Sequence, residues 1–109
     1  EYQTVVDALK AMHRRFATGC YLLWYPVVAR KRNQYMERAL QASGIKNIQL
    51  FELGILPDSD EFGMTACGMV AINPPWTLFA EMKQVLPYLA DVLGLDKQGH
   101  HRIEQLVGE

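Results

Sequence analysis

The chain has 109 residues, 50% of them apolar and 21% charged, which allows one domain with a buried core and excludes a disordered segment. No apolar run reaches the length of about 18 that a membrane span needs, and no basic-then-apolar leader opens the chain. The formal net charge of −1 is unevenly spread: residues 1–50 carry eight Lys/Arg and three Asp/Glu, residues 51–109 three and nine, so only the first half suits a phosphate backbone.

Tyr2, Val5, Val6, Leu9, Met12 and Phe16 recur three or four apart and predict a helix over 2–16, ended by Thr18-Gly19. CYLLWY, residues 20–25, is apolar without alternation, the pattern of a central strand covered on both faces, and Pro26 should stop its ladder. A second helix is expected over 29–43, burying Tyr35, Met36, Ala39 and Leu40. It should end at Ser43-Gly44, with Ile45 packing back over the last turn. Strands are expected at 47–55 and 63–72, joined by a loop carrying Asp58, Asp60 and Glu61. Trp76, Phe79, Met82, Leu86, Leu89 and Leu93 form a third helical stripe; Pro87 should kink it or restart it near Leu86. Residues 99–107 permit a final short strand. Cys20 and Cys67 both fall in apolar strand-like runs and read as buried, reduced thiols.

This order predicts an α/β fold with a mixed sheet covered by helices. The passage from 20 through 55 suits a parallel crossover, and the short 57–63 link suits an antiparallel pair. A sheet that opens with a helix, and whose first strand looks central, lacks its other half. The chain, which begins with Glu1 and not Met, is therefore expected to be part of something longer.

The stretch CGMVAINPPW, residues 67–76, ends in a tetrapeptide similar to the [D/N/S]-P-P-[Y/F/W] signature of amino-methyltransferases. In such a site the Asn side chain and a nearby carbonyl accept the hydrogens of an exocyclic amine, whose lone pair is otherwise delocalised into the ring. The prolines stiffen the loop, and the aromatic residue stacks on the extruded base. Asn73 follows its strand directly, as a site at the carboxyl end of a sheet requires. The competing reading is a strand stop: Asn caps a turn, Pro75 enters a helix and Trp76 opens its apolar stripe. No G-x-G occurs, and only 33 residues follow Trp76, so a cofactor-binding half is not expected within the chain.

The segments RFATGCYLLWYPVV, ELGILPDSDEFGMTACGMVAINPPW and VLPYLADVLG, in that order and spacing, resemble the C-terminal part of bacterial large-subunit ribosomal RNA adenine-N6 methyltransferases of the J type. That family is also described as a protein for use of external DNA. The resemblance covers nearly the whole chain. It implies the C-terminal half of a class I, Rossmann-like methyltransferase domain over 1–109, cytoplasmic and acting on 23S ribosomal RNA. It implies S-adenosyl-L-methionine bound by an N-terminal half outside these residues, and a catalytic D-P-P-Y just before Glu1. Residues 20–25, 47–55 and 65–72 would be the fifth, sixth and seventh strands, the last antiparallel between the other two. No catalytic or cofactor residue is then expected here, Asn73 remaining a weak local candidate, and the 109 residues alone are expected to be inactive. A non-enzymatic nucleic-acid-binding module and a structural half-domain are the alternatives.

Trp24, Tyr25 and Pro26 end a presumed parallel strand, so they either wall a target-base pocket or simply finish the strand. Arg14, Arg15, Arg30, Lys31, Arg32 and Arg38 are candidates for RNA phosphates, against the reading of a solvated face. Asp58, Asp60 and Glu61 match no calcium loop, and His13, His100 and His101 have no cysteines at metal spacing, so no metal is expected.

Overall fold

The computed structural model describes residues 2–59 and 63–109. Helix α1 covers Tyr2–Arg15, strand β1 Tyr21–Val27, helix α2 Arg30–Gln41, strand β2 Ile48–Gly54 and strand β3 Ala66–Ile72. Helix α3 follows at Leu78–Leu93, then a short 3-10 turn at Leu95–Lys97 and strand β4 at His100–Val107. The Gly63–Ile72 strand expectation shortens to Ala66–Ile72, and Asp60 and Glu61 lie outside the described residues.

The four strands form one sheet in the order β1-β3-β2-β4. Every neighbouring pair is antiparallel, so the mixed sheet expected from the sequence is not what these residues build. β1 and β2 do run the same way, since each is antiparallel to β3, but β3 lies between them. The helix-containing crossover is present without the parallel hydrogen bonding it suggested.

The sheet alternates as a pleat must. Ile48 and Leu50 of β2, with Val70 and Ile72 of β3, face α1 and α2 and meet Val6, Leu9, Met36 and Leu40. Ile48 and Leu50 are fully buried, and each such side chain contributes about 1.5–3 kcal/mol by leaving water. Phe51 and Ala71 point the other way and meet Leu86, with Leu53, Phe79, Met82 and Ile103 packed around them. One face thus carries α1 and α2, the other α3.

Helix α3 contains Pro87 without breaking. Pro87 is exposed, so the backbone acceptor it leaves without a donor can turn to water. Several residues read as core stripes sit outside it: Met12, Phe16, Tyr35 and Leu93 are exposed, and Trp76 is 93% exposed. Periodicity finds a helix face but not how far its partner layer extends.

The largest departure is β1. It is an edge strand among the described residues, not a central one. Leu22 and Trp24, on the face away from α1 and α2, are more than half exposed. The strand also runs through Pro26, which pairs with Cys67, and ends at Val27. An edge position tolerates a residue with no N–H to donate. Cys20 precedes the strand and is exposed, Cys67 is half-buried, and both are free thiols; neither is the buried thiol expected.

Candidate functional site

Pairing direction defines two rims. β1 and β2 end together at Val27 and Gly54, where β3 and β4 begin; this is the carboxyl rim. At the opposite, amino rim, Tyr21 and Ile48 both lie opposite Ile72, the last residue of β3.

Asn73 therefore lies at the amino rim, across the sheet from Trp24-Tyr25-Pro26. It does follow a strand, but that strand runs against β1 and β2. Its backbone is left-handed, with φ 52°, a conformation Asn tolerates better than most residues. Its side-chain Nδ2 donates to the carbonyls of Ala17 at 2.8 Å and Gly19 at 3.2 Å, and its N–H donates to Asn47 O at 3.1 Å. The amide is occupied in tying the end of β3 to the α1–β1 link. Asn73→Ala is expected to lower stability by about 2 kcal/mol, from lost hydrogen bonds and a Cβ-bearing residue held left-handed. Asn73→Gly should recover part of that loss because it removes the conformational term alone. Denaturant unfolding of the two variants separates the contributions.

The fold also separates the basic residues. α2 begins at the carboxyl rim, where Asn33 Nδ2 donates to Pro26 O at 3.2 Å. The same amide lies 3.3 Å from the Tyr2 hydroxyl, so α1 begins there too. α1 ends at the amino rim, where the Tyr21 hydroxyl donates to Phe16 O at 2.7 Å. Arg14 and Arg15 belong to that end, beside the helix carbonyls whose partial negative charge favours cations. Arg38 lies in the last turn of α2, toward the same rim. Lys31 and Arg32 stand exposed in the first turn of α2, at the carboxyl rim.

A groove of about 670 Å³ opens along the free edge of β1 at the carboxyl rim. Tyr2, Trp24 and Tyr35 supply aromatic walls, Pro26 a rigid one and Arg32 a cation, while Tyr25 borders the groove with its ring buried and turned toward Glu52. The chemistry of this lining suits a flat, electron-rich ring beside a phosphate. Trp24, Tyr25, Pro26 and Arg32 thus come together; Arg14, Arg15, Arg38 and Asn73 do not join them.

Arg30, the remaining basic candidate, turns into the protein. Its Nη1 donates to both oxygens of Glu52, at 2.9 and 2.8 Å, while Nε and Nη2 donate to Asp58 at 2.8 and 3.1 Å. Glu52 is 1% exposed and also accepts from the Tyr25 hydroxyl at 2.6 Å. Arg102 lies 3.6 Å from the same carboxylate and makes a two-point pair with Glu37, both distances 2.7 Å.

This network occupies one register row across the sheet. Tyr25 lies opposite Gly68, Gly68 opposite Glu52, and Glu52 opposite Arg102. Gly68 is what lets it form: a Cβ there would overlap the Tyr25 ring, which crosses β3 to reach Glu52. Burial, with the Glu52 hydrogen bond and negative charge, pushes the Tyr25 hydroxyl far above the ordinary tyrosine range. Hydrogen bonds from Arg30 hold the Asp58 carboxyl below the usual aspartate range, against a smaller opposing effect of burial. Sequence reading missed the row, although two signals were available: a carboxylate inside the apolar run IQLFELG, and a glycine inside a neighbouring strand.

The class so defined is an α/β protein whose helices flank an antiparallel sheet, with an aromatic and basic groove on one rim. The chain belongs to the RsmJ family, described as Ribosomal RNA large subunit methyltransferase D, RlmJ, whose model matches residues 1–107. It is 47% identical over 109 residues to a Haemophilus influenzae protein and 48% identical to an Escherichia coli protein, each named Ribosomal RNA large subunit methyltransferase J. All of this chain is covered in both comparisons, but it spans 39% of the length of either relative. It is also similar to a Legionella pneumophila protein of known crystal structure, with TM-score 0.83 and 34% identity over 96% of this chain and 38% of that one.

The family implies S-adenosylmethionine as methyl donor. The described glycines do not build a cradle for it: the His100 ring fills the space beside Gly54, and the Tyr25 ring that beside Gly68. Gly44 and Gly63 sit in left-handed turns in different parts of the chain. Gly54, Gly68, Gly44 and Gly63 therefore form no shared open cradle for that cofactor.

Proposed function

We propose that the full-length protein containing this chain is a methyltransferase that moves a methyl group from S-adenosylmethionine to adenine N6 of 23S ribosomal RNA. The family match over residues 1–107 carries this reading. These residues form the C-terminal part of its class I domain, and the cofactor is held by residues outside them. β1 supports the placement: edge strands are normally blunted by charge or cover, whereas Leu22 and Trp24 are open and apolar. A further strand pairs there, parallel to β1, and takes part of the groove along its edge. Because α1 opens at the carboxyl rim, residues immediately before it would enter that rim beside Trp24, Tyr25 and Pro26. The aromatic walls left exposed there stack on the target base or its neighbour, and Lys31 and Arg32 meet phosphates. Asn73 acts as the tie between β3 and the α1–β1 link, not as a hydrogen acceptor for the amine. The cytoplasm, where ribosomal RNA is processed, is the expected location.

The test is transfer of labelled methyl to unmodified 23S ribosomal RNA by the full-length protein under single-turnover conditions, with the product nucleoside identified. N6-methyladenosine is the expected product. RNA binding without incorporation, while the cofactor is demonstrably bound, would replace this reading with that of a binding module.

A further inference from the structure

Resting on that reading, we propose that Arg30 is a positioning residue: through Asp58 it clamps the segment after β2 to the carboxyl rim and so shapes the surface that receives the RNA. The clamp has a fixed end and a presenting end. At the fixed end, Glu52 is held by the Tyr25 hydroxyl at 2.6 Å, by Arg30 at 2.8 Å and by Arg102 at 3.6 Å. The guanidinium is a rigid planar fork, so anchoring Nη1 on Glu52 aims the Nε–Nη2 edge outward. That outer edge meets Asp58 in a second two-point contact, at 2.8 and 3.1 Å. The Asp58 side chain is 44% exposed, against 24% for Arg30, so the network reaches solvent at Asp58.

The segment held this way borders the proposed RNA surface. Leu56 O lies 2.8 Å from His100 Nε2, which fixes the start of the segment over β4. A cavity of about 180 Å³ separates Asp58 and Ser59 from Val27, Val28 and Thr65, with Arg30 in its wall. Val28 also lines the aromatic groove, so the two concavities share a wall. Tyr25 belongs to both systems, since it holds Glu52 and stands between Trp24 and Pro26. The clamp ties Asp58 to the start of α2, and without it the rim loses the fixed shape that docking of a large RNA requires. Arg30 is poorly suited to be a phosphate ligand itself, because all three of its nitrogens already donate to carboxylates. Among the described residues Lys31 and Arg32 make no ion pair, which leaves the phosphate role to them.

The experiment uses the full-length protein, its Asp58→Asn and Asp58→Glu variants, and unmodified 23S ribosomal RNA. RNA affinity is read by equilibrium binding across a salt series, and turnover separately. Asp58→Asn is expected to weaken RNA binding and raise KM for RNA about three- to tenfold, with kcat within about twofold and cofactor affinity unchanged. Asp58→Glu should restore most of the loss, and the thermal midpoint should move little because the site is exposed. The slope of log K against log salt should stay the same for Asp58→Asn and fall by about 0.7 for Lys31→Gln, the value for one single-strand phosphate contact. Tighter RNA binding and a steeper slope in Asp58→Asn would mean that Asp58 masks a phosphate-binding Arg30, and would overturn the proposal. Unchanged affinity would overturn it as well. Because the clamp is read from binding, RNA bound without methyl transfer would defeat the methyltransferase reading alone.

Discussion

Glu52→Ala is expected to destabilise the protein by about 3 kcal/mol, seen as a lower denaturant midpoint at unchanged slope. The figure comes from weighing what is orphaned against what stays paired. The Tyr25 hydroxyl is buried and loses its acceptor, and leaving a buried donor unsatisfied costs about 1–3 kcal/mol. Arg30 loses one of its two carboxylates but keeps Asp58, and Arg102 keeps Glu37 and Glu104. Neither cation is stranded, so the loss should not reach the top of the 3–5 kcal/mol range typical of a broken buried pair. The truncated side chain also leaves a void between β2 and the Tyr25 ring. Tyr25→Phe provides the calibration: it removes one hydrogen bond while Glu52 stays held by both arginines, and should cost about 1 kcal/mol. If Glu52→Ala costs no more than Tyr25→Phe, the two guanidinium contacts contribute nothing to folding and the row is only a hydrogen bond.

Gly68→Val is expected to cost about 3 kcal/mol, even though valine is the better strand residue. Intrinsic preference in a sheet spans only about 1 kcal/mol and favours the substitution. Against it stands the Tyr25 ring, which occupies the space a Cβ would take and is itself 1% exposed, wedged under α1 and α2. Either the ring leaves its position and Glu52 loses a donor, or β3 moves away from β1; overpacking of this kind costs about 1–3 kcal/mol before the hydrogen bond is counted. The cause can be isolated with Tyr25→Ala. If the clash with the ring is responsible, Gly68→Val in the Tyr25→Ala background should be milder by at least about 1 kcal/mol than in the native background. Strict additivity would show that the valine is rejected by something else.

Both substitutions lie outside what sequence reading singled out for chemistry. From the sequence Tyr25 is a pocket wall or a strand end, and Glu52 and Gly68 are members of strands. Trp24, Tyr25 and Pro26 do lie at the carboxyl rim and do share a groove with Arg32. The apparent run of basic residues divided between two rims once the helices took their directions, and Arg30 went inward. Asn73 moved furthest. Its place after a strand was readable, but which rim that strand ends on depends on the direction of β3 relative to its neighbours.

Local order was legible because it is local. Apolar residues three and four apart specify a helix face whatever lies opposite, so α1, α2 and α3 fall close to where the spacing puts them, and strand runs bounded by Gly and Pro likewise. The order and spacing of WYPV, LPDSD and INPPW were sufficient to point to the family. Pairing is not local. β1 has the same apolar composition whether another strand lies beside it or its edge is open, and backbone hydrogen bonds make no reference to side-chain identity. The place of β3 between β1 and β2 is what the family resemblance implies, and the structure has it; only the tertiary structure turned Asn73 to the amino rim and aligned Tyr25, Gly68, Glu52 and Arg102 in one row. That row depends on register, and a shift of one residue would turn its side chains to the other face.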